Sequence, residues 1–144
     1  DQGFNLISSD FQSNKGQLPW PVKNGSIVSK FGKVAHPVLA GITLMNNGIE
    51  IATNNNSVCA VFNGEVSKII VLPTGLKVVI VKHGNYLTVY SNLKNIHIQK
   101  GQSVKTQDII GALYEEDNIK NNLLGFQIWN GREKLNPTHW ISSD

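Results

Sequence analysis

Lys77-Val-Val-Ile-Val-Lys-His83, then Gly84-Asn85, then Tyr86-Leu-Thr-Val-Tyr90 is the stretch on which the reading of the fold turns. Its first segment is nearly all apolar and rich in β-branched residues, which pack well on a pleated surface. It reads as a strand buried on both faces. Gly84-Asn85 is a turn pair, because both residues tolerate left-handed backbone, and Tyr86 to Tyr90 pairs back. Toward the N-terminus, Glu65 to Leu72 is a strand that ends at the turn Pro73-Thr-Gly75. Val58 to Phe62 is a strand joined to it by the hairpin dipeptide Asn63-Gly64. Ile49-Glu-Ile-Ala52 alternates apolar and polar, Asn54-Asn-Asn56 turns the chain, and Ser26 to Phe31 is a short strand closed by Gly32. Toward the C-terminus, Ile96 to Ile98, Asp108 to Tyr114 and Leu124 to Trp129 are further strands. Residues 115–122 form a polar loop, and a last turn holds Trp140. No run of ten or more residues repeats its apolar positions every 3.6. The expected fold is all-β, a compact, hairpin-rich sheet.

The 144 residues suit one domain, and a 40% hydrophobic share is enough for a core. The net charge of +3 comes without a Lys/Arg cluster interleaved with aromatics, which argues against nucleic acid as a partner. No stretch approaches the roughly 20 apolar residues of a membrane helix. The single cysteine, Cys59, cannot make an internal disulfide and reads as a small buried hydrophobe in a strand. Residues 1–17 are polar and without clear period, an arm or linker. Within them Phe4, Leu6, Ile7 and Phe11 are spaced for a short docking helix that could fold over a groove. The domain proper, 18–144, begins at Leu18-Pro-Trp-Pro-Val22, whose prolines force an extended path. With Asp1 first, the chain reads as a processed or excised fragment.

An ordered set of short motifs runs through residues 18–141. Leu-Pro-Trp-Pro-Val (18–22), Phe31-Gly32 and Asn46-Asn-Gly-Ile-Glu50 come first, then Ala60-Val-Phe-Asn-Gly-Glu-Val66. Val79-Ile-Val-Lys-His-Gly84, Thr88-Val-Tyr-Ser-Asn-Leu93 and Gly101-Gln-Ser-Val104 follow. Gln107-Asp-Ile-Ile-Gly111, Phe126-Gln-Ile128 and Asn136-Pro137 complete the series. Together they resemble the lysostaphin/LytM type of zinc endopeptidase, which implies a duplicated-hybrid-motif, barrel-sandwich-like β-domain.

The resemblance also implies a site. Active members carry His-x-x-x-Asp and a later His-x-His; three of these residues hold zinc and the first His of His-x-His is the base. Three protein ligands leave a fourth position for the water that zinc acidifies. Carried over, the first ligand His falls on Asn46 and the Asp on Glu50. The two residues of His-x-His fall on Leu123 and Gly125, and a further active-site His on Asn92. Glu50 could still ligate a metal, Asn is a poor zinc ligand, and Leu and Gly have no side-chain donor. His36, His83, His97 and His139 offer no replacement pair at i, i+2 or i, i+4, although His36 or His83 could lie near the groove. The expectation is a pseudo-peptidase without cofactor.

Intact scaffold motifs around lost ligands look like the EnvC-type murein hydrolase activators. That likeness implies a partner, a cell-wall N-acetylmuramoyl-L-alanine amidase, and a Gram-negative periplasmic setting. It also implies an upstream coiled coil that couples to FtsEX. Leu123, Gly125, Trp129 and Tyr90 would give the partner groove an apolar floor, and Asn46, Asn47, Glu50, Asn92 and Gln127 its polar contacts. Gly125 stands out, since a glycine inside a strand often marks close approach of another backbone. Two alternatives stay open, a peptidoglycan-binding module without protein partner and an active zinc endopeptidase. A biotinyl/lipoyl carrier fails because its only Met, Met45, has no neighbouring Lys.

Overall fold

The computed structural model describes residues 2–117 and 121–143. In chain order its elements are α1 (Gln2–Ser13), β1 (Gly25–Ser29), β2 (Gly32–Ala35), β3 (Thr43–Asn46), β4 (Ile49–Thr53), β5 (Ser57–Cys59) and β6 (Gly64–Val71). They continue as β7 (Lys77–His83), β8 (Tyr86–Ile96), β9 (Ser103–Val104), β10 (Ile109–Leu113), β11 (Asn122–Asn130) and β12 (Glu133–Leu135), closed by a 3-10 turn at Pro137–His139. The main sheet runs β1-β4-β11-β8-β7-β6-β9, with β10 joining β5 to β8 and β12 beside β11. The fold is β-rich and antiparallel, as the sequence implies.

Side chains alternate across a strand with period two, and that parity builds the core. Ile49 and Ile51 of β4, Val79 and Val81 of β7, Tyr86 and Tyr90 of β8, and Leu124, Phe126 and Ile128 of β11 are all buried. β7 is a correction, since only this one face is fully buried. Val78 and Ile80 on the other face are half-buried, and Lys82 is exposed.

Four further expectations change. Residues 2–13 are helical, where the sequence reads as a polar arm or linker that offers at most a short docking helix. Four apolar residues in a polar dozen carry little periodic signal, and the helix is held mainly by Phe11, which is fully buried. The Phe11 ring stacks on His83 and Tyr86, each at 4.8 Å, and on Trp140 at 5.1 Å. Secondly, Asn63-Gly64 does not close a hairpin, because β5 pairs with β10 and β6 with β7 and β9. Neither residue adopts the positive φ that such a turn needs. Asn63 is engaged elsewhere: its side-chain oxygen accepts from Thr106 N at 2.9 Å and its carbonyl is 2.7 Å from His83 Nδ1. Gly64 serves a close approach, since a Cβ there would stand 2.5 Å from the Lys82 carbonyl oxygen. Thirdly, β5 stops at Cys59, which is half-buried beside Trp20 and Ile109 instead of sealed in the core. Lastly, β2 and β3 pair as a separate two-stranded hairpin, in a stretch the sequence left unassigned.

Candidate functional site

The partially open face of the sheet is where the singled-out residues gather. Register places Glu50 opposite Gly125, and Gly125 opposite Ser91, so the three form one row across β4, β11 and β8. On one side of the row lies a recess of about 260 Å³ lined by Ser29, Asn46, Asn47, Glu50 and Gln127, among others. On the other side lies one of about 460 Å³ lined by Leu72, Leu76, Asn92, Tyr114 and Leu123. Both recesses share Glu50, Ser91 and Gly125, so they are two ends of one groove.

Each expected residue has a definite place. Asn46, at the end of β3, donates its amide to Ser29 Oγ at 2.9 Å and to the Lys30 carbonyl at 2.8 Å. Asn47 accepts from Lys134 Nζ at 3.0 Å. Asn92 has φ 75° and donates its amide to the Leu123 carbonyl at 2.7 Å. That left-handed residue shifts the parity of β8, so that Leu93 is buried after buried Tyr90. Gln127 accepts from the Trp129 indole N–H at 2.8 Å. Trp129 shares the outward face of β11 with Leu123, Gly125 and Gln127 but lies beyond both recesses.

Tyr90 does not belong to the groove. It is fully buried, with its ring against Phe126 at 5.4 Å, and its hydroxyl accepts from Val61 N at 3.1 Å and lies 3.0 Å from Thr88 Oγ1. Burial pushes its pKa up to about 12. Residues of opposite parity face opposite sides, so the groove residue of this strand is Ser91. Nor does the groove hold His83, which is buried under Phe11 between the Asn63 carbonyl and Thr88 Oγ1. Desolvation lowers its pKa to about 4. His36 sits in the β2–β3 loop, where Nδ1 accepts from Val38 N and Leu39 N at 3.0 Å. Helix α1 does not cover the groove: Ser8 Oγ accepts from Asn85 N at the β7–β8 turn, the far end of those strands.

Within the chain, what crowds Gly125 is a side chain. A Cβ there would collide with Ser91 Oγ, which donates to the Gly125 carbonyl at 3.3 Å. Ser91, Ser29, Leu72, Leu76, Tyr114 and Glu116 are groove residues that sequence reasoning missed. For Ser91 the signal was there, as the outward neighbour of an aromatic inward residue. Leu72 and Leu76 flank a turn and carry none.

The family model for peptidase family M23 matches residues 44–137, a span from β3 through β12 that contains Asn46, Glu50, Asn92, Leu123 and Gly125. The chain belongs to peptidase family M23. Among solved structures it is similar to a zinc containing peptidase from Vibrio cholerae, with 26% identity and a TM-score of 0.70, over 86% of this chain and 40% of that one. It is similar to Csd3 of Helicobacter pylori, with 26% identity and a TM-score of 0.71, over 88% of this chain and 35% of that one. It is also similar to a chain of the SpoIIQ-SpoIIIAH pore forming complex, with 26% identity and a TM-score of 0.69, over 90% and 92% of the two chains. This chain therefore spans well under half the length of the first two and nearly all of the third. A search of curated protein sequences returns no significant match.

The residues of this M23 site do not fit a zinc ion. Zinc takes imidazole, thiolate or carboxylate donors, and of Asn46, Glu50, Leu123 and Gly125 only Glu50 offers one. The Asn46 amide nitrogen is committed to Ser29 and Lys30, Leu123 presents a hydrocarbon, and Gly125 cannot carry a side chain without displacing Ser91. Among the described residues, no three His, Cys, Asp or Glu side chains come together as a metal site.

Proposed function

We propose that this domain is a catalytically inactive M23 module of the Gram-negative periplasm that binds and switches on a peptidoglycan amidase. One observation carries the reading: the M23 strand frame is intact around Asn46, Glu50, Leu123 and Gly125, a set that cannot hold the family's metal, and the groove across them stays open. A similar chain is part of the SpoIIQ-SpoIIIAH complex, which supports a protein as partner. Activation requires only that the groove prefer an inhibitory segment of the amidase in its displaced state, because differential binding shifts the equilibrium. In this reading an upstream coiled coil couples the module to FtsEX.

The groove's polar end, with the amides of Asn46, Asn47 and Gln127, also favours a second reading, a peptidoglycan-binding module without protein partner. Dye release from labelled peptidoglycan by a cognate N-acetylmuramoyl-L-alanine amidase, with and without the domain, separates the two. Release rising at least tenfold in the mixture, with none from the domain alone, is the expected result. Release by the domain alone would overturn the inactive reading. No stimulation, combined with pelleting of the domain on sacculi, would replace amidase activation by wall binding.

A further inference from the structure

The two ends of the groove differ in chemistry. At the Leu123 end, Leu72 and Leu76 project from the two sides of the β6–β7 turn, Tyr114 follows β10, and all three meet Leu123 around the recess of about 460 Å³. Leu72, Tyr114 and Leu123 keep 39%, 38% and 40% of their surface exposed. Large apolar side chains from separate segments thus converge on one opening, where burial would be favourable. Two carboxylates, Glu50 and Glu116, line the same opening, and among the described residues no lysine or arginine does. Lys77, next to Leu76, has the parity of buried Val79 and donates its Nζ to the Lys94 carbonyl at 2.9 Å.

We infer that this end of the groove is a side-chain pocket for a leucine-sized apolar residue, carried beside lysine or arginine on an extended segment of a partner protein. The inference deepens the proposed partner-binding role and rests on it. The apolar wall selects the anchor, and Glu50 and Glu116 select the flanking cation. An extended segment suits a groove that runs from the Leu123 end over the small residue Gly125 to the end lined by Asn47 and Gln127. An extended main chain passing over Gly125 comes within reach of the amides of Asn47 and Gln127. Leu123 is the pivot: at the position where the family resemblance expects the imidazole of the catalytic base, the chain places the hydrocarbon that makes the pocket apolar.

The test titrates the isotopically labelled chain, followed by NMR amide shifts, with the capped peptide Gly-Lys-Leu-Lys-Gly. Gly-Lys-Ala-Lys-Gly and Gly-Glu-Leu-Glu-Gly serve as comparisons. The expected result is shifts at Leu76, Tyr114, Leu123 and Gly125, with affinity for the first peptide roughly tenfold or more above either comparison. Leu123→Ser should erase the preference for leucine over alanine, and Glu116→Lys should weaken the preference for lysine over glutamate. Both positions are solvent-facing, and the dispersion of each variant's spectrum reports its fold. Equal shifts with all three peptides, shifts outside the pocket, or binding of a wall stem peptide alone would overturn the inference. If the lysine-leucine peptide binds as expected but no amidase is stimulated, the pocket stands and the amidase reading falls. If an amidase is stimulated equally by the wild type, Leu123→Ser and Glu116→Lys, the pocket falls and the amidase reading stands.

Discussion

Leu124, Phe126 and Ile128 of β11 are fully buried, whereas Leu123, Gly125 and Gln127, each one residue away on the same strand, line the groove. The same division runs through β8, where Tyr90 joins the core and Ser91 the groove. The inward set is coupled to everything it touches: Tyr90 closes on Phe126, Thr88 and Val61, and His83 on Phe11, Asn63 and Thr88. The outward set is coupled mainly to its neighbours in the row. On these strands one parity carries the packing and the other lines the groove. Packing and groove lining are therefore separable here by counting odds and evens along a strand.

The largest expected effect lies on the inward side. Phe11→Ala removes a fully buried ring packed against four aromatic partners and should cost about 3–5 kcal/mol in urea unfolding. Groove binding should persist wherever the variant is folded; a loss of binding without a loss of stability would break the comparison.

A second effect follows from His83. Its folded pKa, near 4, is below the ordinary value of 6.5 because burial disfavours the charged ring. The unfolded chain then takes up a proton first as pH falls, so stability is full above pH 6.5 and declines as pH drops from about 6.5 to 4. The decline from this group is on the order of 3 kcal/mol. Urea unfolding at a series of pH values checks it, and His83→Gln should flatten that portion of the curve while lowering stability at neutral pH. An unchanged slope in the variant would assign the acid sensitivity to other groups.

The smallest effect sharpens the boundary on the outward side. Gly125→Ala sets a new methyl against Ser91 Oγ and should cost about 1 kcal/mol or less, since the hydroxyl can rotate away at the price of its bond to the Gly125 carbonyl. In a Ser91→Ala background the same substitution should become neutral or stabilising by about 0.5 kcal/mol, because glycine weakens a strand interior. A double-mutant cycle with no coupling would show that Ser91 does not hold Gly125 in place.

The part of this architecture written locally was readable in advance. The alternation of β4, the apolar run of β7 and the turns at Gly75 and Gly84 each rest on a few adjacent residues. Distant partners account for what was not. Phe11 helps hold α1 only because His83, Tyr86 and Trp140 come together from two other segments. Asn63-Gly64 has the composition of a tight hairpin, yet Thr106 and His83 claim the asparagine. The site followed the same rule. Asn46, Glu50, Leu123 and Gly125 do converge, as the motif spacing implies, while Tyr90 was put on the wrong side because its motif says nothing about parity. The apolar end contributed by Leu72, Leu76 and Tyr114 depends on loop geometry that no short motif encodes.

The two ends of the domain meet at one point. Leu18 forms a parallel bridge with Ile141; Gly16 N and Leu18 N both donate to the Trp140 carbonyl, and Ser142 N donates to that of Leu18. A tension applied through the flanking chain therefore meets α1 and this clasp before it reaches β4, β8 and β11. Mechanical strain in a longer polypeptide would peel the clasp while the strands that carry the groove keep their spacing.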